Sequence, residues 1–208
     1  MRLGLRRDNS CRLCGEHSES TGHVLSSCKA HEWTYMKWRH DRALYVLVRA
    51  VFTARRIAMP AAYREYWGRA VPGSFGSSST TEILVDQVIQ TDRVVENRRP
   101  DLVVRMPGER RIVIMEVAAA FEPCIREREF EKRNKYRELA ADLARQHPSW
   151  RVKTIPVVLG DLGTLCGLRG HLEDSGLFWP SALEETISLM QREVICASAD
   201  LLVKHLTL

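Results

Sequence analysis

Between Arg98 and Val117 the chain reads RRPDLVVRMPGERRIVIMEV, and no other stretch restricts the fold as much. Residues 102–104 and 112–115 are almost wholly aliphatic and β-branched, which favours strands, and Pro107-Gly108 between them marks a turn. A two-residue loop at Gly108 and Glu109 sets Pro107 opposite Arg110 and Val104 opposite Val113. Counting outward, it sets Asp101 opposite Glu116. Directly opposed residues have Cβ atoms about 4.5–5.5 Å apart, and like charges there destabilise the pair. Three arrangements relieve the conflict: a bulge that parts the acids, protonation of one of them, or a cation between them. The last is a divalent-metal site.

A second constraint lies at the start of the chain. The segment CRLCGEHSESTGHVLSSC, residues 11–28, pairs Cys11-x2-Cys14 with His23-x4-Cys28. Four soft or borderline donors in closely spaced pairs suit tetrahedral zinc, and metal ligation lets a segment with few apolar residues fold. Gly15 frees the turn after the second cysteine. His17 and His31 compete with His23 for the fourth position; His23 has the usual spacing, which leaves the other two as surface or nucleic-acid-contacting groups. Cys124, Cys166 and Cys196 are isolated and read as small core residues.

Residues 33–58 contain no Gly or Pro, and Leu44, Leu47, Val48 and Val51 recur at helical spacing, which predicts a long helix. The Gly/Ser-rich stretch 71–81 reads as a loop and 82–90 as a strand. Residues 125–147 predict a second long helix whose inward face carries Lys132, Tyr136, Leu139 and Leu143. A strand at 151–159 and an amphipathic helix from about 181, capped by Ser181 with Glu184 three residues on, complete the chain. The order is that of an α/β domain with a mixed sheet and a helical tail.

No apolar run reaches the roughly 18 residues of a membrane span, and the N-terminus lacks the apolar region of a secretory signal. The formal charge of +5 and a pI near 9.0 point to a polyanionic partner. Arg39, Arg42, Arg49, Arg55 and Arg56 share the first predicted helix. Arg98, Arg99, Arg126, Arg128, Lys132, Arg133 and Lys135 surround the hairpin.

Two carboxylates on paired strands and a lysine on the next helix suit phosphodiester hydrolysis. Asp101 and Glu116 would hold Mg²⁺ or Mn²⁺ through oxygen, and Lys132 would neutralise the developing anion. At this point the residues resemble a known family. "PD", fourteen residues and "E" within the order αβββαβ look like the PD-(D/E)XK nucleases. Together with CRLC, GHVLSSC, RHD, RPDLVV, IMEV and KRNKY, they resemble more narrowly the restriction-like endonuclease domain at the C-terminus of site-specific non-LTR retrotransposon polyproteins, which follows a CCHC zinc knuckle.

The resemblance runs from about residue 3 to residue 160. It implies a zinc-knuckle segment at 1–32 and a nuclease domain at 33–208, with its core at about 36–160 and a helical tail at about 180–207. By the same resemblance Asp101 and Glu116 bind the catalytic metal, Lys132 is the catalytic lysine and Tyr136 supports it. Ala118 stands where the superfamily lysine normally does; in this retrotransposon group the lysine moves to the following helix, with Lys135 as the rival to Lys132. Asp41, His40 and Glu122 are further candidates for the site.

The expected function is a metal-dependent endonuclease that nicks DNA to prime reverse transcription, the reverse transcriptase itself belonging to a parent polyprotein, in the nucleus. Arg39, Arg42, Arg98 and Arg99 would contact DNA, or RNA as a second partner. The alternatives are an inactive nucleic-acid-binding module of the same fold and a small zinc-dependent interaction domain.

Overall fold

The computed structural model describes residues 9–65, 68–77 and 79–208. The first eight residues of the expected zinc-knuckle segment lie outside it. Helix α1 (Thr21–Ser26) is followed by a π turn, Glu32–Met36, that runs into helix α2 (Lys37–Ala54) and then short α3 (Ala61–Glu65). Strands β1 (Gly73–Ser77), β2 (Thr81–Val85), β3 (Leu102–Met106) and β4 (Arg111–Ala120) form an antiparallel meander. Helices α4 (Ile125–Lys135) and α5 (Arg137–Gln146) cross over to β5 (Arg151–Gly160), which pairs parallel to β4 along ten residues. Helices α6 (Leu168–Ser175) and α7 (Pro180–Thr207) end the chain. The domain is thus mixed α/β, with a five-stranded mixed sheet in the order β1-β2-β3-β4-β5 and a helical C-terminus.

Side chains alternate across the sheet, and two cores result. Leu102, Val104 and Met106 of β3 and Val113, Met115 and Val117 of β4 pack with α2, α6 and α7. Val103, Ile112 and Ile114 pack on the other face with Tyr136, Leu139 and Leu143. The apolar positions that predicted the first long helix, Leu44, Leu47, Val48 and Val51, are all buried in the first core. By parity Glu116 belongs to the α4–α5 face, which is how it meets residues of α4.

The hairpin register is the expected one, with Val104 opposite Val113 and the ladder running from Leu102–Met115 to Met106–Arg111. Its connection differs. Four residues, Pro107 to Arg110, make a 3-10 turn, and the left-handed position is Arg110 (φ +50°) rather than Gly108.

Four other expectations are corrected. The Gly/Ser-rich stretch expected as a loop contains edge strand β1. Gly76 sits there at φ +88° with the Thr81 carbonyl so close that a Cβ has no room, so a small residue is what permits the pairing. The strand expected to reach residue 90 stops at Val85, because Asp86 turns left-handed (φ +49°) and donates its N–H to the Asp101 carbonyl. The expected 125–147 helix breaks at Tyr136 (φ −106°, ψ 16°), whose hydroxyl donates to the Arg99 carbonyl at 3.0 Å. Helix α7 begins at Pro180, with Trp179 as its cap, and Glu184 pairs with Arg169 instead of closing a capping box.

Arg39, expected to contact nucleic acid, is only 2% exposed and ties four elements together. From α2 it donates to the Leu25 carbonyl of α1 (2.8 Å) and to Ser198 Oγ of α7 (3.0 Å), and it faces Asp161 Oδ1 just after β5 at 2.9 Å. Burial lowers the pKa of Arg39 and raises that of Asp161, the signature of an ion pair held out of water. Removing one partner strands the other. Arg39→Ala should therefore destabilise the fold by about 3–5 kcal/mol, read as a lower urea midpoint, whereas Arg98→Ala should leave the midpoint unchanged.

Candidate catalytic and zinc centres

In the N-terminal unit a turn closed by the Gly15 N–H to the Cys11 carbonyl (2.8 Å) brings Cys11 and Cys14 together, with Gly15 at φ +72°. Helix α1, capped by Ser20, presents His23. Cys11 Sγ and Cys28 Sγ are 3.8 Å apart, Cys14 Sγ and His23 Nε2 are 3.2 Å apart, and the four donor atoms all lie within 4.8 Å of one another. Bonds of about 2.3 Å to sulfur and 2.0 Å to nitrogen in a tetrahedron require separations of this order, so the four residues fit zinc. Burial holds the His23 pKa below its ordinary value, which favours the neutral ligand form, and Ser27 Oγ lies 3.3 Å from Nδ1, leaving Nε2 for the metal. Burial also pushes the Cys28 thiol up to about 12, so a thiolate there depends on a metal to stabilise it.

His17 is exposed, as expected, but His31 is not a surface group. It is buried, and its Nε2 lies 2.9 Å from His205 Nδ1 at the end of α7. His205 Nε2 in turn faces Glu19 at 3.3 Å and Cys11 Sγ at 4.0 Å, and Arg12 holds the Glu19 carboxyl down at about 2. His205 and Glu19 were not foreseen. The signal for His205 was available: it continues the stripe of Val194, Ala197 and Leu201 on the buried face of α7, and a histidine in such a stripe needs a partner. Cys196 is exposed rather than a core residue, because it lies off that stripe.

The second centre lies just before the start of β3 and in the middle of β4. The Asp101 N–H donates to Glu116 Oε2 at 3.2 Å, and the Val117 N–H donates to Asp101 Oδ2 at 2.7 Å, so each acid is tied to the backbone of the opposite strand. No bulge parts the acids, and three basic side chains approach them instead. Lys132 Nζ and Lys135 Nζ, three residues apart on one face of α4, reach Glu116 Oε1 at 3.0 and 2.7 Å. His40, near the start of α2, places Nε2 3.1 Å from Asp101 Oδ2 and Nδ1 3.2 Å from Asp41 Oδ1.

Burial is the largest single influence and opposes charge on both Asp101 and His40, but their mutual hydrogen bond and the neighbouring charges and hydrogen bonds together outweigh it. Asp101 is held below the usual carboxylate range, and His40 is raised to about 9 with further help from Asp41. Burial, followed by the charge of Glu116, raises the Tyr136 phenol. Lys135 also lies over the Tyr136 ring, 4.9 Å from its centre.

Asp101, Glu116, Lys132, Lys135, Tyr136 and His40 therefore meet in one place. Asp41 touches the group only through His40. Glu122 does not join it: its Oε1 accepts from the Leu162 N–H at 2.7 Å, beyond the end of β5. Arg42 is engaged with Glu193 and stacked on Trp38, while Arg98 and Arg99 are exposed, Arg99 pairing with Asp86. Beside the centre a cleft of about 220 Å³ is bounded by His40, Ala118, Arg128 and Lys132. It shares Ser26, Ala119 and Arg128 with a groove of about 570 Å³ between the zinc unit and the end of β4.

Among the described residues, clusters of three or more His, Cys, Asp or Glu donors that close on a common point lie only around the zinc unit and His205. Asp101 and Glu116 form an oxygen-donor pair, so a divalent cation there would complete its shell with water or substrate oxygens. No protein-family model and no curated protein matches the chain. Among the described residues no helix is long and apolar enough to cross a membrane.

Two outcomes follow for the purified protein. Zinc analysis should find one ion per chain, and Cys14→Ser should lower that content and expose the segment 11–28 to protease. For His40 the folded pKa lies above the unfolded 6.5, so its contribution to stability is complete below about pH 6.5 and is lost as pH rises through about 9. The difference in urea midpoint between wild type and His40→Gln, measured without Mg²⁺, should shrink across that window; a constant difference would mean that His40 is not charged.

Proposed function

We propose that the chain is a divalent-metal-dependent DNA endonuclease with a restriction-endonuclease-like core and an N-terminal zinc knuckle, acting as the nicking domain of a non-LTR retrotransposon type of polyprotein. The observation that carries this reading is the meeting of Asp101, Glu116 and two lysines across a strand pair and the next helix. Ala118 lies on the same face of β4 as Glu116, and Lys132 supplies from α4 the ammonium that a lysine at position 118 would otherwise bring. A cation held by Asp101 and Glu116 would supply Lewis-acid stabilisation of charge on the phosphate.

The chain's own groups account for the rest. Lys132 and Lys135 form a positive wall against which a phosphate oxygen gaining charge is stabilised. His40 orients Asp101, and Tyr136 fixes the Arg99 carbonyl just before Pro100 and Asp101. The groove past Arg128 toward the zinc unit gives a polyanionic backbone a path with positive charge beside it. DNA is the partner the reading requires, RNA a second, and nuclear action follows from the resemblance.

A second reading, an inactive binding module of the same fold, is favoured by one feature. Both oxygens of Glu116 are already occupied, by the two lysines and by the Asp101 N–H, so a metal must displace an ammonium group to reach Oε1.

Nicking of supercoiled plasmid with Mg²⁺, Mn²⁺ or no divalent ion separates the two. Divalent-dependent nicking should vanish in Asp101→Ala, and Lys132→Ala should lower the rate by about 10²–10³-fold, the range for losing one group that stabilises developing charge. DNA binding should survive both changes. Binding without nicking in either metal would establish the module instead.

A further inference from the structure

Beside Asp41 lies a cleft of about 360 Å³ that the catalytic reading leaves without a role. It is lined by Trp33, Trp38, Lys37, Asp41 and Arg69, and its volume is within the ~300–1,000 Å³ typical of ligand sites. Trp33 is 80% exposed, although burying an indole is among the most favourable ways to use one. It stands on the π turn Glu32–Met36, whose wider winding sets Trp33 outside the regular faces of α2.

Trp38 is held more rigidly. The Arg42 guanidinium lies 4.7 Å from the centre of its ring and is itself bound to Glu193, with Nε 2.7 Å from Oε2. The cleft therefore has one exposed and one braced aromatic wall. It has two cations, Lys37 and Arg69, against one acid, Asp41, which is shared between Lys37 at 3.1 Å and His40 at 3.2 Å.

The cleft connects to the candidate centre through Asp41 on its wall. Asp41 touches His40, and His40 touches Asp101. Aromatic surface beside positive charge, one residue removed from a phosphodiester site, matches the way single strands are bound: the bases stack on rings and the backbone follows the cations. A duplex offers no free base face, whereas an unpaired nucleotide brings both a ring to stack and a phosphate for the cations.

We propose that this cleft takes an unpaired base of single-stranded DNA, the nucleotide adjacent to the phosphate placed over Asp101 and Glu116. The assignment rests on the nuclease reading and narrows it to substrates with an unpaired segment beside the cut.

The test is fluorescence anisotropy of a labelled single-stranded deoxyoligonucleotide, and of the same sequence as a duplex, with the full chain and without added Mg²⁺ or Mn²⁺. Trp33→Ala should weaken single-strand binding about ten-fold or more, the loss expected for one base–aromatic stack, and leave duplex binding unchanged. Trp33→Phe should retain most of the affinity. Trp179→Ala, which removes an exposed indole outside the cleft, should change neither. The proposal is overturned if wild type does not bind the single strand, if Trp33→Ala binds it normally, if the loss is equal on the duplex, or if only an oligoribonucleotide shows the dependence. Because no cleavage is read, a chain that fails to nick plasmid can still pass this test, and one that nicks can still fail it.

Discussion

The Arg39 guanidinium is the point on which the arrangement of the molecule depends. It joins α2 to the last turn of α1, to the end of β5 and to α7, and it does so in a place that water does not reach. A buried ion pair of this kind adds little over an apolar core of the same shape, but it tolerates no other geometry, because a displaced partner is an uncompensated charge. The next residue is His40. Locking the rotation of α2 about its axis at Arg39 therefore also decides where the imidazole of His40 points. The zinc unit, the sheet and the candidate centre share one anchor.

At the candidate centre the same logic runs in the opposite direction. Two acids face each other across β3 and β4, and the chain answers with cations from the layers on both sides of the sheet: lysines from α4 and a histidine from α2. A cluster with this balance is stable as it stands, yet each contact is one that a divalent ion or a phosphate can replace. Restraint by the chain's own charges and readiness for a charged ligand are two aspects of one electrostatic arrangement.

How much of this the sequence disclosed depended on the physics of each part. The hairpin register was legible because side-chain alternation allows no half-steps, so Asp101 faced Glu116 even though the turn proved to be of another type. The cluster of Cys11, Cys14, His23 and Cys28 was legible because its spacing is local. Strand β1 was hidden because its Gly and Ser residues carry loop chemistry, and only the neighbouring strand makes them extended. The break at Tyr136 was hidden because the hydroxyl's partner, the Arg99 carbonyl, is distant in sequence. Arg39 and His31 were misread for one reason: a polar side chain is assigned to the surface unless its buried partners, Asp161 and His205, can be seen.

The meeting of Cys11 with His205 has a consequence for the order of events during folding. The zinc unit closes over fewer than twenty residues of chain, whereas the contact that seats it on α7 spans almost the whole described length. Loop-closure entropy makes the first cheap and the second available only once the sheet and α7 are in place. Seating the unit on α7 therefore costs more loop-closure entropy than closing the unit itself, and the groove beside it, which passes the candidate centre, takes its shape from both.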